Sequence, residues 1–138
     1  MINNYDHLIA IHVRLGDFLN HPHVFINLLR YYKKALKFIK KLVPNAQFVI
    51  VSSEDESKIH SIYPVLKGIP LLVKEKQDEL VDLYFMARCK GVICSNSTFS
   101  WWGAWLNQVP DKKVIIPSKW LNTTDKILGL CGAHVIYV

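Results

Sequence analysis

The sequence predicts an α/β fold, a parallel sheet covered by helices on both faces. Short apolar runs of strand length alternate with segments whose apolar residues recur at helical spacing. The first run, Leu8-Ile9-Ala10-Ile11, is continuously apolar, as a strand buried on both faces requires. With 138 residues, 51% of them hydrophobic, the chain can bury one sizeable core, and residues 1–138 are expected to form one domain.

The first strand is expected at Leu8–Val13. Phe25, Leu28, Leu29, Tyr32, Leu36 and Ile39 then mark a helix. A strand at Phe48–Val51 leads to a second helix, with Ser53 and Glu56 spaced as a capping box and Pro64 shortening its end. Ile69–Val73 reads as a further strand. A third helix has Leu80, Leu83, Tyr84 and Ala87 on one apolar face, an N-cap at Asp78 and a stop near Gly91. Strands at Val92–Cys94, Val114–Ile116 and Val135–Val138 complete the set, with a Trp-rich helix ending before Pro110.

Two stretches carry chemistry. In Ser95–Leu106, small hydrogen-bonding side chains (Ser95, Asn96, Ser97, Thr98) precede Phe99, Trp101, Trp102 and Trp105. Such residues cap helices, and an exposed helix N-terminus attracts anions such as phosphate. Gly103 costs a helix about 1 kcal/mol relative to Ala, so a close neighbour is expected at its backbone. The other reading is a buried helix that simply covers the sheet. The second stretch follows the first strand with His12, Arg14, Gly16 and Asp17. Ligands of open α/β sheets sit beyond the carboxyl ends of the strands, and a guanidinium grips phosphate at two points. An Arg14–Asp17 surface ion pair is the alternative.

The net charge of +6 suits an anionic ligand. Its densest cluster, Lys33, Lys34, Lys37, Lys40 and Lys41, falls on one expected helix and reads as a solvated face, with anionic lipid or an acidic partner as the other candidates. No nucleic-acid motif accompanies it. The glycine loops of dinucleotide-binding and P-loop proteins are also missing, so phosphate binding falls to Arg14 and the Asn96–Thr98 helix start. No apolar run approaches the ~20 residues of a membrane helix. The N-terminal residues lack signal-peptide character, so a cytoplasmic protein, with peripheral membrane contact as an option, is expected. Cys89, Cys94 and Cys131 lack metal-ligand spacing and are expected as buried thiols. His21-Pro22-His23 reads as loop.

His12-Val13-Arg14-Leu15-Gly16-Asp17 resembles the HxRxGD signature of GDP-fucose-dependent fucosyltransferases. Ser95–Leu106 resembles the Ser-Phe-Ser-Trp-Trp-Gly-Ala-Trp-Leu motif of glycosyltransferase family 11, the α-1,2-fucosyltransferases. Asp82-Leu83-Tyr84-Phe85-Met86 with Cys89-Lys90, and Ile115-Ile116-Pro117-Ser118-Lys119-Trp120, are similar to that family's intervening and closing segments, in order from Leu8 to Trp120. The resemblance implies the Rossmann-like, donor-binding half of a GT-B-like fold. It further implies transfer of L-fucose from GDP-β-L-fucose to a galactosyl hydroxyl of a glycan, with inversion and without metal. The sequence contains no Asp-x-Asp motif.

By the same resemblance Arg14 is the catalytic charge stabiliser at the diphosphate, supported by Ser97 and Thr98. Asp82 corresponds to the acid that holds the guanine edge, a plain first-turn Asp being the alternative. The donor-binding set is then His12, Arg14, Gly16, Asp17, Asp82, Asn96, Ser97, Thr98 and Phe99, with His12 orienting the strand end rather than acting as a base. Two features depart from the family pattern. Its Gly-rich N-terminal segment has no counterpart, so the acceptor-side domain is expected to be missing or supplied by a partner chain. At Ser52-Ser53-Glu54-Asp55, Ser53 and Glu54 replace the two acids of a Ser-Asp-Asp pattern. A non-catalytic GDP-sugar-binding module and a basic nucleic-acid-binding domain are the competing functions.

Overall fold

The structure, a computed structural model, describes residues 5–22, 25–74, 78–120 and 132–136. Five strands, β1 (Leu8–His12), β2 (Gln47–Val51), β3 (Gly91–Ile93), β4 (Lys113–Pro117) and β5 (His134–Ile136), form one parallel sheet in the order β2-β1-β3-β4-β5. Four helices, α1 (Leu29–Leu42), α2 (Glu56–Ile62), α3 (Glu79–Arg88) and α4 (Thr98–Leu106), cover it. Successive side chains of a strand point to opposite faces, so β1 divides its residues between two cores. Ile9 and Ile11 join Tyr31, Tyr32, Ile39, Ile59 and Leu66 under α1 and α2. Leu8 and Ala10 join Phe85, Met86 and Ala104 under α3 and α4. The α/β class with helices on both faces is therefore as the sequence predicts.

The expected strand at Ile69–Val73 is reduced to a single bridge, Ile50 to Leu71. Ile50 N–H donates to the Pro70 carbonyl and Leu72 N–H to the Ile50 carbonyl, both at 2.8 Å. Pro70 has no N–H to extend the ladder, and Val73 points into solvent. If this segment is counted as a sixth strand, the order becomes the 3-2-1-4-5-6 of doubly wound sheets.

The helices follow their sequence signals unevenly. In α1 the lysines at 33, 34, 37, 40 and 41 are exposed, while Tyr31, Tyr32, Ala35, Leu36 and Ile39 are buried. Its first turn starts at Leu29, after Phe25 and Leu28, with the Asn27 side chain accepting the Leu29 N–H at 2.9 Å. The expected Ser53 cap is not used. The N-cap of α2 is Asp55, because Ser53 still belongs to the turn leaving β2, and α2 ends at Ile62 ahead of a 3-10 turn at Pro64–Leu66. In α3 the Asp78 carboxylate accepts the Leu80 N–H at 2.9 Å, as expected of the cap.

The face of α3 marked by Leu80, Leu83, Tyr84 and Ala87 is not the buried one. Leu80 is 74% exposed and Tyr84 60%, while Asp82, Phe85 and Met86 turn inward. Helix α4 is inverted in the same way. Ser100, Gly103 and Ala104 face the protein, and Trp102 and Trp105 stand 49% and 53% exposed. Small inward residues let α4 lie close against α3. A Cβ on Gly103 would sit 2.9 Å from Met86 Cε and 3.0 Å from Met86 Cβ, the close neighbour expected from the sequence. Asn107 closes the far end of the pair, donating to the Met86 carbonyl at 2.9 Å and the Cys89 carbonyl at 2.7 Å.

Gly103→Ala therefore sets two effects against each other. The methyl gains about 1 kcal/mol of helix propensity, but overpacking against a fixed Cβ costs about 1–3 kcal/mol. We expect a net loss of about 1 kcal/mol, measured as a lower urea midpoint at unchanged slope; an equal or higher midpoint would mean that Met86 yields freely.

Candidate functional site

The candidate site lies where the backbone ladder between β1 and β3 ends. Their pairing stops at Ile11 opposite Ile93. Beyond it Val13 N–H bonds the Val51 carbonyl on the β2 side, at 3.0 Å, and Cys94 N–H bonds the Ile115 carbonyl on the β4 side, at 2.9 Å. The two chains part, opening the crevice that doubly wound sheets use for ligands at the point where strand order reverses. A buried side-chain bond crosses the gap, His12 Nδ1 to Ser95 Oγ at 2.8 Å.

The tyrosines of α1 hold the strand ends from below. Tyr32 OH donates to the His12 carbonyl at 2.7 Å. Tyr31 OH lies 2.5 Å from the Cys94 carbonyl and 3.0 Å from that of Ile115. Burial raises both phenols well above 10, so they remain donors. On the outer side Ser52 Oγ donates to the Val13 carbonyl at 2.7 Å. Glu54 Oε1 accepts the Gly16 N–H at 2.6 Å, while Oε2 meets Lys58 at 3.3 Å. Gly16 sits at φ +34°, and a Cβ there would be 3.1 Å from Glu54 Oε1. Glycine is thus what lets this carboxylate reach the loop's backbone.

A cleft of about 210 Å³ opens above these strand ends, lined by His12, Val13, Arg14, Ser53, Lys74, Asp78, Glu79, Asp82 and Phe99. Within it Lys74 Nζ lies 2.5 Å from Asp82 Oδ2, with both side chains about nine-tenths buried. Asp82 Oδ1 is buried without a hydrogen-bond partner. Burial raises the Asp82 pKa, the hydrogen bond and charge of Lys74 lower it, and Asp78 and Glu79 add to the rise. Burial, then the charges of Arg14 and Lys74, lower the His12 pKa from 6.5 to about 3. His12 is therefore a neutral imidazole at neutral pH, its ring 5.5 Å from that of Phe99.

Of the residues expected to bind a donor, the fold brings His12, Arg14, Asp82 and Phe99 to one cleft. Gly16 is occupied by Glu54. Asn96 is buried and its amide donates to the Trp120 carbonyl at 3.0 Å, fastening the loop to the segment after β4. Ser97 is the N-cap of α4, accepting the Phe99 N–H at 3.3 Å, and Thr98 is exposed beside it. The Asp17 side chain lies outside the described residues, as do His23 and Cys131. Cys89 and Cys94 are buried free thiols, pushed up to about 12 by burial. Sequence reasoning missed Lys74, Ser95 and the role of Glu54. The Glu54 signal was there, an acid shortly after the second strand, but its partner lies 38 positions away.

A parallel α/β sheet with a cation-bearing cleft at its switch point defines a domain of the doubly wound class. The chain belongs to glycosyl transferase family 11, whose sequence model it matches over residues 1–126. It is 35% identical over 122 residues to the O-antigen biosynthesis glycosyltransferase WbnK of Escherichia coli, covering 85% of this chain and 40% of that protein. It is 29% identical over 127 residues to an alpha-1,2-colitosyltransferase of Escherichia coli, covering 85% of this chain and 42% of that protein. The chain thus spans about two fifths of the length of these relatives. Among the described residues, no helix is long and apolar enough to cross a membrane.

The depressed pKa of His12 sets an acid limit on the fold. Unfolded, this His takes up its proton near pH 6.5; folded, only near 3, so the unfolded state binds more protons in between. Stability should fall as pH drops from 6.5 toward 3, by up to about 1.4 kcal/mol per pH unit, with Asp82 acting in the opposite direction. Thermal melts of His12→Asn across this window should show a flatter dependence than the parent; parallel curves would remove His12 as the source.

Proposed function

We propose that this chain forms the donor-binding half of a fucosyltransferase that moves L-fucose from GDP-β-L-fucose to a galactosyl hydroxyl of a glycan, with inversion. The observation that carries this reading is that Arg14 and the buried Asp82 carboxylate line one cleft at the switch point. Breaking the sugar–phosphate bond leaves positive charge on the ring and negative charge on the departing diphosphate. A fixed guanidinium beside that phosphate lowers the barrier, a donor set that works without a metal ion. Asp82, a carboxylate with an unused oxygen, suits the N–H edge of a guanine. Ser97 caps and Thr98 begins a nine-residue helix, whose first N–H groups suit an anion.

The cleft is smaller than the ~300–1,000 Å³ of small-molecule sites, which supports a site completed by another domain or chain bearing the acceptor cleft. The colitosyltransferase relative favours a second reading of the sugar alone, in which the donor carries a colitosyl group.

Calorimetric titration with GDP, GDP-fucose and ADP, each with and without a chelator, tests the reading. Saturable binding indifferent to the chelator is expected, weakened about 10- to 100-fold by Arg14→Ala, the range for losing hydrogen bonds to a charged group. A folded parent protein that binds neither ligand would overturn it. Equal affinity for ADP and GDP would remove the guanine assignment.

A further inference from the structure

Asp82 is the least satisfied group in the cleft. It is 6% exposed, Lys74 holds Oδ2 at 2.5 Å, and Oδ1 has no partner. Burial and the charges of Asp78 and Glu79 raise its pKa, toward the protonated form, and Lys74 works against that rise. A protonated carboxyl offers one acceptor fewer and an O–H donor instead, the wrong pattern for the N–H edge of a base. Lys74 comes from the segment just after the Leu71 bridge, across the cleft from α3, and supplies the charge that opposes this.

We propose that Lys74 is a positioning residue for base recognition: it clamps Asp82 through Oδ2 and so reserves an ionised Oδ1 for an N–H donor of the nucleotide. The inference rests on the guanine reading of Asp82 given above. It assigns to a lysine outside every recognised motif the selectivity between guanine, with adjacent N–H donors at that edge, and adenine, whose ring nitrogen there is an acceptor. It also separates the two cations of the cleft, Arg14 acting on the diphosphate and Lys74 acting through Asp82.

The groups facing Asp82 are Lys74, Asp78 and Glu79, with His12, Arg14 and Ser53 across the cleft. His12 stays neutral down to about pH 3, so it does not titrate near neutrality. In Lys74→Met the Asp82 carboxyl should take up its proton at higher pH, and GDP affinity should fall as pH is lowered through that point. In the parent protein the same fall should come at lower pH.

The test measures GDP and ADP affinity by calorimetry between pH 5 and about 8.5, within the span where carboxylates raised by burial titrate. Parent, Lys74→Met and Lys74→Arg proteins are compared, and the Asp82 carboxyl is followed by carbon NMR without ligand. Lys74→Met should lower GDP affinity about tenfold at pH 7, leave ADP affinity unchanged and raise the Asp82 titration point, with Lys74→Arg restoring all three. Equal losses for GDP and ADP would make Lys74 a phosphate contact and overturn the inference, as would unchanged GDP affinity in Lys74→Met. A parent protein that fails to prefer GDP over ADP sinks the guanine reading itself, a result distinguishable from the other two before any variant is made.

Discussion

The buried bond between His12 and Ser95 is the contact on which the functional end of this domain depends. Backbone pairing between β1 and β3 has already ended when the two side chains meet, 83 positions apart in sequence. Together with the α1 tyrosines beneath, it fixes the separation of two strand ends committed to opposite neighbours. The imidazole is neutral because burial and two cations oppose its protonation. The same environment that shapes the cleft for an anion therefore sets the protonation state of the residue that holds it open.

Support from below comes from α1, whose two tyrosines bond the carbonyls of His12, Cys94 and Ile115. Those of His12 and Cys94 lie where the β1–β3 ladder runs out, so a side-chain donor takes over there, while that of Ile115 also accepts the Cys94 N–H. Above the sheet, Glu54 performs a comparable task for the loop carrying Arg14 by accepting the Gly16 N–H. The acid that departs from the family pattern thus has a structural use, and it is tied to the glycine it approaches.

The alternation of strands and helices was legible because each element carries its own period, and the cap at Asp78 because capping is local. The buried face of α3 was not legible. Leu80, Leu83, Tyr84 and Ala87 repeat as well as Phe85, Met86 and Cys89 do, and periodicity alone cannot say which stripe meets the sheet. Pro70 could have warned against a full strand at Ile69–Val73, since a residue without an N–H cannot sit mid-ladder. In the site, His12, Arg14, Asp82 and Phe99 were found through motif resemblance, and they share a cleft. Lys74 belongs to no motif; only folding shows that the segment after the Leu71 bridge brings its amine to Asp82. Asn96 and Ser97, read as ligand contacts, spend hydrogen bonds on the Trp120 carbonyl and on the first turn of α4.

The inverted packing of α4 has an optical consequence. The chain has four tryptophans, and three of them, Trp101, Trp102 and Trp105, ride on this helix with ring centroids 5.0 and 5.4 Å apart in edge-on contacts. The fourth, Trp120, is buried, and its carbonyl receives the Asn96 amide from the loop that leads into α4. Indole emission from this protein is therefore a local reporter. It registers the solvent and geometry of α4 and its leading loop, while α1 and its sheet face, which hold tyrosines and no tryptophan, stay dark at the same wavelengths.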